Sequence, residues 1–393
     1  MNYASVVRVL ALLLIVVVVA AIPAMFMAIA ARETSQIFAF GTMALAIIVL
    51  ASSVLLLTPK PERKARPSDA LATVILWWFI TPVATCLPFI LGVQNDSVIS
   101  AIHEATACLT TTGQSVISVQ DNQWPISLVV WRGMLHLLGG LATVVAAASV
   151  LAALNLGGPG IHRTVLFTVP ETSFFDAVPR VVRMVAMLMI VSILLLFSGL
   201  VFMGVPAERA LGDAISALTT GLVHPQGVMR APLDTGPSII LGVGLFAGAM
   251  GLALWLPLRD GKPFKAISDP EVSLFVGLLI VFICFALASD LNVTEGLSWA
   301  LSALSTSGLS LSDPADYNRI PLPVLVLPAL IGGSALSAAG GVKLARFIVL
   351  ARRAGQEFRQ LGYRRSILRF TFRDRELNER SVIGVWVYLI GYI

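Results

Sequence analysis

Charge is scarce in this chain: 12% of its 393 residues are Asp, Glu, Lys or Arg, against 57% hydrophobic. A water-soluble domain carries about a quarter charged residues, so a soluble fold is excluded and the chain belongs in lipid. Cysteine is limited to Cys86, Cys108 and Cys284, all in apolar surroundings with no CxxC pair. An odd count without metal spacing leaves neither a disulfide framework nor a zinc site, and the three read as packing residues. No HExxH, no Walker loop, no GxGxxG after a strand and no Ser/His/Asp arrangement occurs, so the chain is not expected to be an enzyme. No cofactor is expected in the chain, and no nucleic-acid partner. Acids in mid-span are almost lacking too, which argues against the alternative of a proton- or sodium-coupled secondary transporter with a carboxylate relay.

What the chain has is long apolar runs, several of them near the roughly 20 residues a spanning helix needs. Residues 4–31 and 37–57 form two spans joined by a short turn. Ala28-Ile29-Ala30 resembles a signal-cleavage site, yet the apolar run is longer than a signal core, so the segment is read as a retained span. A Pro/Lys/Arg linker at 58–69 leads into three similar units, each a span, a short helix, a hydroxyl-rich turn ending in glycine, and a returning span. Unit one has a span at 71–92, a short helix at 97–109 and a return at 124–154. Unit two has 180–203, 207–218 and 236–258, and unit three has 271–289, 293–304 and 321–351. The domains are therefore 1–57, 71–154, 178–258, 271–352, a basic cytoplasmic segment at 353–380, and 381–393. Val382 to Ile393 opens another apolar run too short to cross a bilayer. It is expected to be the start of a fourth unit, cut off within a span.

Basic residues collect in alternate loops: Lys60, Arg63, Lys64 and Arg66; Arg163, Arg180 and Arg183; Arg259, Lys262 and Lys265; then the run from Arg346 to Arg380. By the positive-inside rule these loops are cytoplasmic. All three units then share one orientation, and their turns enter from the side holding Asp96, Glu104, Asp121, Asp213, Asp290, Glu295, Asp313 and Asp316. Such acids are expected to form a vestibule that concentrates cations.

The turns are Leu109-Thr110-Thr111-Thr112-Gly113, Leu218-Thr219-Thr220-Gly221 and Leu304-Ser305-Thr306-Ser307-Gly308. Irregular backbone at membrane depth survives only where it is buried in protein or lines a water-filled path. A ring of such turns would aim carbonyl oxygens at a dehydrated cation, glycine supplying the positive φ this requires. The candidate filter residues are Thr111, Thr112, Gly113, Thr219, Thr220, Gly221, Thr306, Ser307 and Gly308, with their carbonyls facing the axis. A second candidate is the run 332–343, with Gly332, Gly333, Gly340 and Gly341 around small residues and Lys343 just after. Each glycine weakens a helix by about 1 kcal/mol relative to alanine, so a non-helical gate beneath the filter is expected there. Lys343 would hold the loop or oppose cations. Trp131-Arg132 reads as an interfacial anchor, Gly139-Gly140 as a packing contact, and His136 as a packing residue.

The residues EATACLTTTGQS at 104–115, Trp131-Arg132 with Leu138-Gly139-Gly140, the turn at 305–309, and GGSALSAAGGVKLAR at 332–346 carry a family resemblance. On these the chain resembles the membrane subunits of the Trk/Ktr/HKT superfamily of potassium uptake systems, and its two extra N-terminal spans favour the Trk branch. The resemblance covers nearly the whole chain. It implies an all-α membrane protein of repeated M1–P–M2, potassium-channel-like units with re-entrant pore loops. It further implies a multi-pass protein of the cell (inner) membrane that takes up potassium as a pore-forming subunit, with potassium as substrate at the filter carbonyls. A homodimer with a cytoplasmic nucleotide-binding regulatory subunit is the implied assembly. The second turn departs from the pattern, with three steps from Leu to Gly where the others have four. The missing remainder of a fourth unit keeps a truncated, non-conducting remnant as the other alternative.

Overall fold

The computed structural model describes residues 3–59, 67–92, 97–117, 124–147, 174–225, 233–312, 314–362, 371–372, 375–376 and 379–392. The chain divides into two compact units, one of Met1–Ala146 with Val169–Ala231, the other of Ala147–Thr168 with Pro232–Ile393.

In the first unit, α1 (Tyr3–Ala30) and α2 (Thr34–Leu57) form an antiparallel pair. Ala21, Ala24 and Ala28 recur at helical spacing on the buried face of α1, and small residues let membrane helices approach closely. Arg8 caps the far end of the pair, its Nη1 donating to the carbonyls of Leu55 at 2.8 Å and Thr58 at 2.6 Å. At the near end, Glu33 accepts from the Ile126 amide at 2.9 Å and from the Ser127 hydroxyl. It thereby caps α6 (Ile126–Ala146) across 93 positions of sequence. The two N-terminal helices thus brace the first repeat through a carboxylate that satisfies orphan helix donors.

That repeat opens with α3 (Pro67–Thr85), broken at Cys86 before α4 (Leu87–Gly92), whose first turn holds Pro88. Next comes α5 (Val98–Leu109), N-capped by Ser97, whose hydroxyl accepts from the Ser100 amide at 3.1 Å. The second repeat starts with α7 (Phe174–Phe202) and α8 (Ala207–Thr219). The expected end of the first return, at 154, lies outside the described residues, as do Asp121 and Arg163.

The second unit contains α9 (Thr235–Met250), α10 (Leu252–Arg259), α11 (Pro263–Ile267) and α12 (Pro270–Ala288). It continues with α13 (Val293–Leu304), closed at its start by a capping box between Asn292 and Glu295, then a 3₁₀ turn at Pro314–Arg319. α14 (Leu322–Ile331), α15 (Leu344–Gly362) and α16 (Glu379–Tyr392) complete the helices. Between α15 and α16 lie β1 (Thr371–Phe372) and β2 (Arg375–Glu376), paired antiparallel with Thr371 opposite Glu376. Alternation was too short there to signal strands. Among the described residues, six helices are long and apolar enough to cross a membrane.

Two of the expected returning spans are not continuous, one of them at the segment already expected to be non-helical. The return expected at 236–258 breaks at Gly251, where φ 49 and ψ −136 lie outside helical space. A Cβ there would fall on the Leu336 carbonyl, and the next amide, Leu252, donates to that same carbonyl at 3.0 Å. The break therefore docks α9 and α10 onto the loop after α14. Gly251→Val is expected to lose most monodisperse protein on size exclusion in detergent, because backbone strain of about 1–3 kcal/mol adds to a steric overlap. The return expected at 321–351 is likewise interrupted, from Gly332 to Lys343. The third cysteine also departs from expectation: Cys86 and Cys108 are buried, but Cys284 is exposed on α12.

Candidate functional site

Each hydroxyl-rich turn begins as its short helix stops. After α5, the amides of Thr112 and Gly113 both reach back to the Ala107 carbonyl at 2.9 Å. This closure puts Thr111 at φ 58 and Gly113 at φ 70. After α13 the same pair recurs, Thr306 at φ 58 and Gly308 at φ 68, with the Ser307 amide donating to the Ser302 carbonyl at 3.1 Å. Left-handed backbone is costly for a β-branched residue, and its repetition at threonine in both turns marks a shared built geometry. The sequence reading assigned the positive φ to glycine alone.

The second turn differs. Thr220 caps α8 at φ 55, and the Gly221 amide donates to the Ser216 carbonyl at 3.1 Å. Counted from the left-handed threonine, Gly221 stands where Thr112 and Ser307 stand in the other turns. Leu222 occupies the place of Gly113 and Gly308, without their positive φ. The shorter Leu-to-Gly spacing thus has a structural meaning: the glycine is displaced by one step.

The first and second turns meet closely. A Cβ on Gly221 would fall on the Thr111 carbonyl, and one on Gly113 would fall on the Leu222 backbone. Behind them sits Arg132 of α6, fully buried and ion-paired with the equally buried Glu104 of α5. Its Nε donates to the Val223 carbonyl at 2.6 Å, and its Nη2 to the carbonyls of Gly113 at 2.7 Å and Leu222 at 3.2 Å. His136, one turn further along α6, lies with Nε2 3.0 Å from the Leu222 carbonyl. Ser115 donates to the other carboxylate oxygen of Glu104 at 2.9 Å. A planar guanidinium with several fixed donors suits this bridging of two turns better than a point charge.

Three expectations change here. Trp131-Arg132 is not an interfacial anchor: Trp131 is buried edge-on against Phe40, ring centroids 5.8 Å apart, and Arg132 is the scaffold of two turns. The Gly113 carbonyl, expected to face a passing ion, accepts instead from Arg132. Nor do all the acids form a vestibule. Glu104 and Asp213 are buried, Asp213 beside Arg209 at 3.4 Å; Asp313 lies outside the described residues. Gly139 holds its expected packing role, since a Cβ there would fall on the Leu109 carbonyl.

In the second unit the segment 332–343 is non-helical. Gly332 and Gly341, at φ 75 and φ 79, cross so closely that a Cβ on either meets backbone of the opposite limb. The loop is held from several sides. The Ser334 amide donates to the Ala249 carbonyl at 2.9 Å, and the Ala335 amide to a carboxylate oxygen of buried Glu271 at 2.9 Å. The Gly340 amide donates at 2.7 Å to Oγ1 of Thr306, the left-handed threonine of the third turn. Lys343, itself at φ 78, directs Nζ to the carbonyls of Ser337, at 3.2 Å, and Ala339. Loop and third turn are therefore joined directly, and the lysine ties the loop to itself.

The TrkH crystal structure from Vibrio parahaemolyticus superposes with a TM-score of 0.84, covering 99% of this chain and 83% of that one at 21% identity. The sequence is 27% identical over 350 residues to the Trk system potassium uptake protein TrkH of Salmonella typhimurium, 85% of this chain and 71% of that protein. It is 25% identical over 388 residues to the Trk system potassium uptake protein TrkG of Escherichia coli K12, 94% and 79% respectively. The chain is a relative of the Trk proteins. No family model matches it. The all-α, multi-pass membrane fold is that of TrkH. In this Trk relative the scaffold of Arg132, Glu104 and His136 is the part that sequence reasoning passed over. An arginine placed six residues inside an apolar span is the available signal, and its place beside Trp131 near the outer end of that span reads equally as an interfacial anchor.

Proposed function

We propose that this chain takes up potassium across the cytoplasmic membrane as the pore-forming subunit of a Trk-type system. The observation that carries the reading is the matched pair of left-handed residues two apart, Thr111 with Gly113 and Thr306 with Gly308, each closing the end of a short helix. Backbone shaped in this way presents successive carbonyls to one side, the arrangement that replaces an ion's water shell. Thr111, Thr112, Thr219, Thr220, Thr306 and Ser307 supply carbonyl ligands for potassium, Gly113 and Gly308 set the turns, and Gly221 sits one step early. The loop from Gly332 to Lys343 acts as the gate. The Trk names of the relatives support a regulatory partner, which we propose to be a cytoplasmic nucleotide-binding subunit acting on a homodimer. The buried acids speak against a carboxylate relay, since Glu104 is paired with Arg132 and Glu271 accepts from the loop.

Rubidium uptake into cells lacking other potassium uptake systems tests the proposal. Uptake above the empty-vector level, suppressed by excess potassium and only weakly by equal sodium, is expected. Equal suppression by sodium would show that the displaced second glycine makes the filter unselective, and no uptake would remove the potassium reading.

A further inference from the structure

We infer that a cleft between α9, α12 and α13 holds the acyl tail of a phospholipid from the outer leaflet. The cleft has a volume of about 620 Å³, within the roughly 300–1,000 Å³ of small-molecule sites. Along α9 it runs from Thr235 through Ser238, Gly242 and Val243 to Phe246. At about 1.5 Å per helical residue that is a depth of about 16 Å, close to half of a hydrocarbon core of roughly 30 Å. One leaflet's tail spans that distance.

Polarity is graded along this length. The mouth carries Thr235, Ser238, Thr294, Glu295 and Ser298, near the starts of α9 and α13, with Ser312 from the loop after the third turn, while the floor is Phe246, Leu279 and Leu301. The mouth lies at the opposite end of α9 and α10 from Arg259, Lys262 and Lys265, the basic loop that marks the inner side. An amphiphile would therefore enter with its head at the outer surface and its tail pointing to the midplane. The cleft also opens sideways, because Ile239 and Val243 line it and remain 62% and 61% exposed. Both side chains are apolar and point out from a helix of apolar composition, so a lipid tail can reach the cleft from the side.

The mouth's polar atoms are largely engaged within the chain. Ser298 Oγ accepts from the Leu311 amide at 3.1 Å and lies 2.9 Å from the Tyr317 hydroxyl; Ser238 Oγ donates to the Leu311 carbonyl at 3.4 Å; Glu295 accepts from the Asn292 amide at 2.9 Å. Little is left to select one headgroup, so the tail is what the site recognises. Gly242 makes the space: a Cβ there would already lie 3.3 Å from a Leu301 methyl group. Leu297, Ser298 and Leu301 belong to α13, which ends at the third turn, so the tail buttresses the back of that short helix. The inference holds whichever ion the chain carries.

The test is photolabelling of the full chain in nanodiscs of phosphatidylethanolamine and phosphatidylglycerol, with a trace of phosphatidylcholine bearing a diazirine at the tail end. Peptide mapping is expected to show insertion within 239–246 and 297–301 several-fold above that at lipid-facing Val16 and Val281. Gly242→Leu, which fills the cleft, should abolish the excess and leave the control positions unchanged. Val243→Trp gives the same result by closing the side opening, and serves if the first variant does not fold. Labelling no higher than at the controls, or an excess that survives both substitutions, would overturn the inference. So would efficient disulfide cross-linking of Ile239→Cys between two chains, since a second copy would then cover the cleft.

Discussion

Arg132→Met is expected to leave almost no monodisperse protein and no rubidium uptake. The substitution strands the Glu104 carboxylate at a site with no exposure and removes the donor to three backbone carbonyls, those of Gly113, Leu222 and Val223. Removing one partner of a buried ion pair costs about 3–5 kcal/mol, and each buried acceptor left unmade adds about 1–3 kcal/mol. Net stabilities are about 5–15 kcal/mol, so the sum is a large part of the whole. Replacing both partners separates the two effects. Glu104→Met with Arg132→Met has no stranded charge and is expected to recover part of the folded protein on size exclusion, the three carbonyls remaining unmet, yet uptake should stay lost because nothing bridges the first two turns. Arg132→Lys should resemble the double variant in uptake, since an ammonium lacks the guanidinium's fork. Full uptake by either would show that the arginine does not shape the turns.

Lys343→Met is expected to raise rubidium flux. The ammonium ties together the carbonyls of Ser337 and Ala339 inside the loop that the Thr306 hydroxyl also holds. Hydrogen bonds to charged groups contribute about 1.5–3 kcal/mol, and about 1.4 kcal/mol is tenfold in a population, so the open fraction should rise by about tenfold or more. Single-channel or proteoliposome flux measures it. Thr306→Val, which removes the acceptor of the Gly340 amide, should act in the same direction but less strongly, a neutral bond being weaker than a charge-assisted one. Unchanged flux in both variants, with intact protein, would make 332–343 a packing motif.

The framework was legible because lipid imposes strong one-dimensional rules. A spanning helix must satisfy every backbone group internally over about 20 residues, so the spans, the short helices and the three turns could be placed from the length and order of the apolar runs and the motifs that break them. The non-helical segment at 332–343 was legible for the same reason, four glycines at membrane depth being poor helix. The break at Gly251 was not, because a lone glycine in a helical pattern is usually tolerated and its cause, the carbonyl of Leu336, lies 85 positions away. The left-handed threonines were hidden by intrinsic preference, which points to glycine; only the closure of the helix end onto Ala107 and Ser302 overrides it.

Sequence by itself determined the membrane class, the repeated span–half-helix–turn–span plan and the odd spacing of the second turn. Each depends on local pattern and length, which a linear chain displays directly. Tertiary structure alone decided that Arg132 and Glu104 pair, that Leu222 takes a glycine's place, and that the loop from Gly332 to Lys343 is tied to Thr306. These depend on which distant residues share a few ångströms, and hydrogen bonds and ion pairs act only over that range, whatever their separation along the chain.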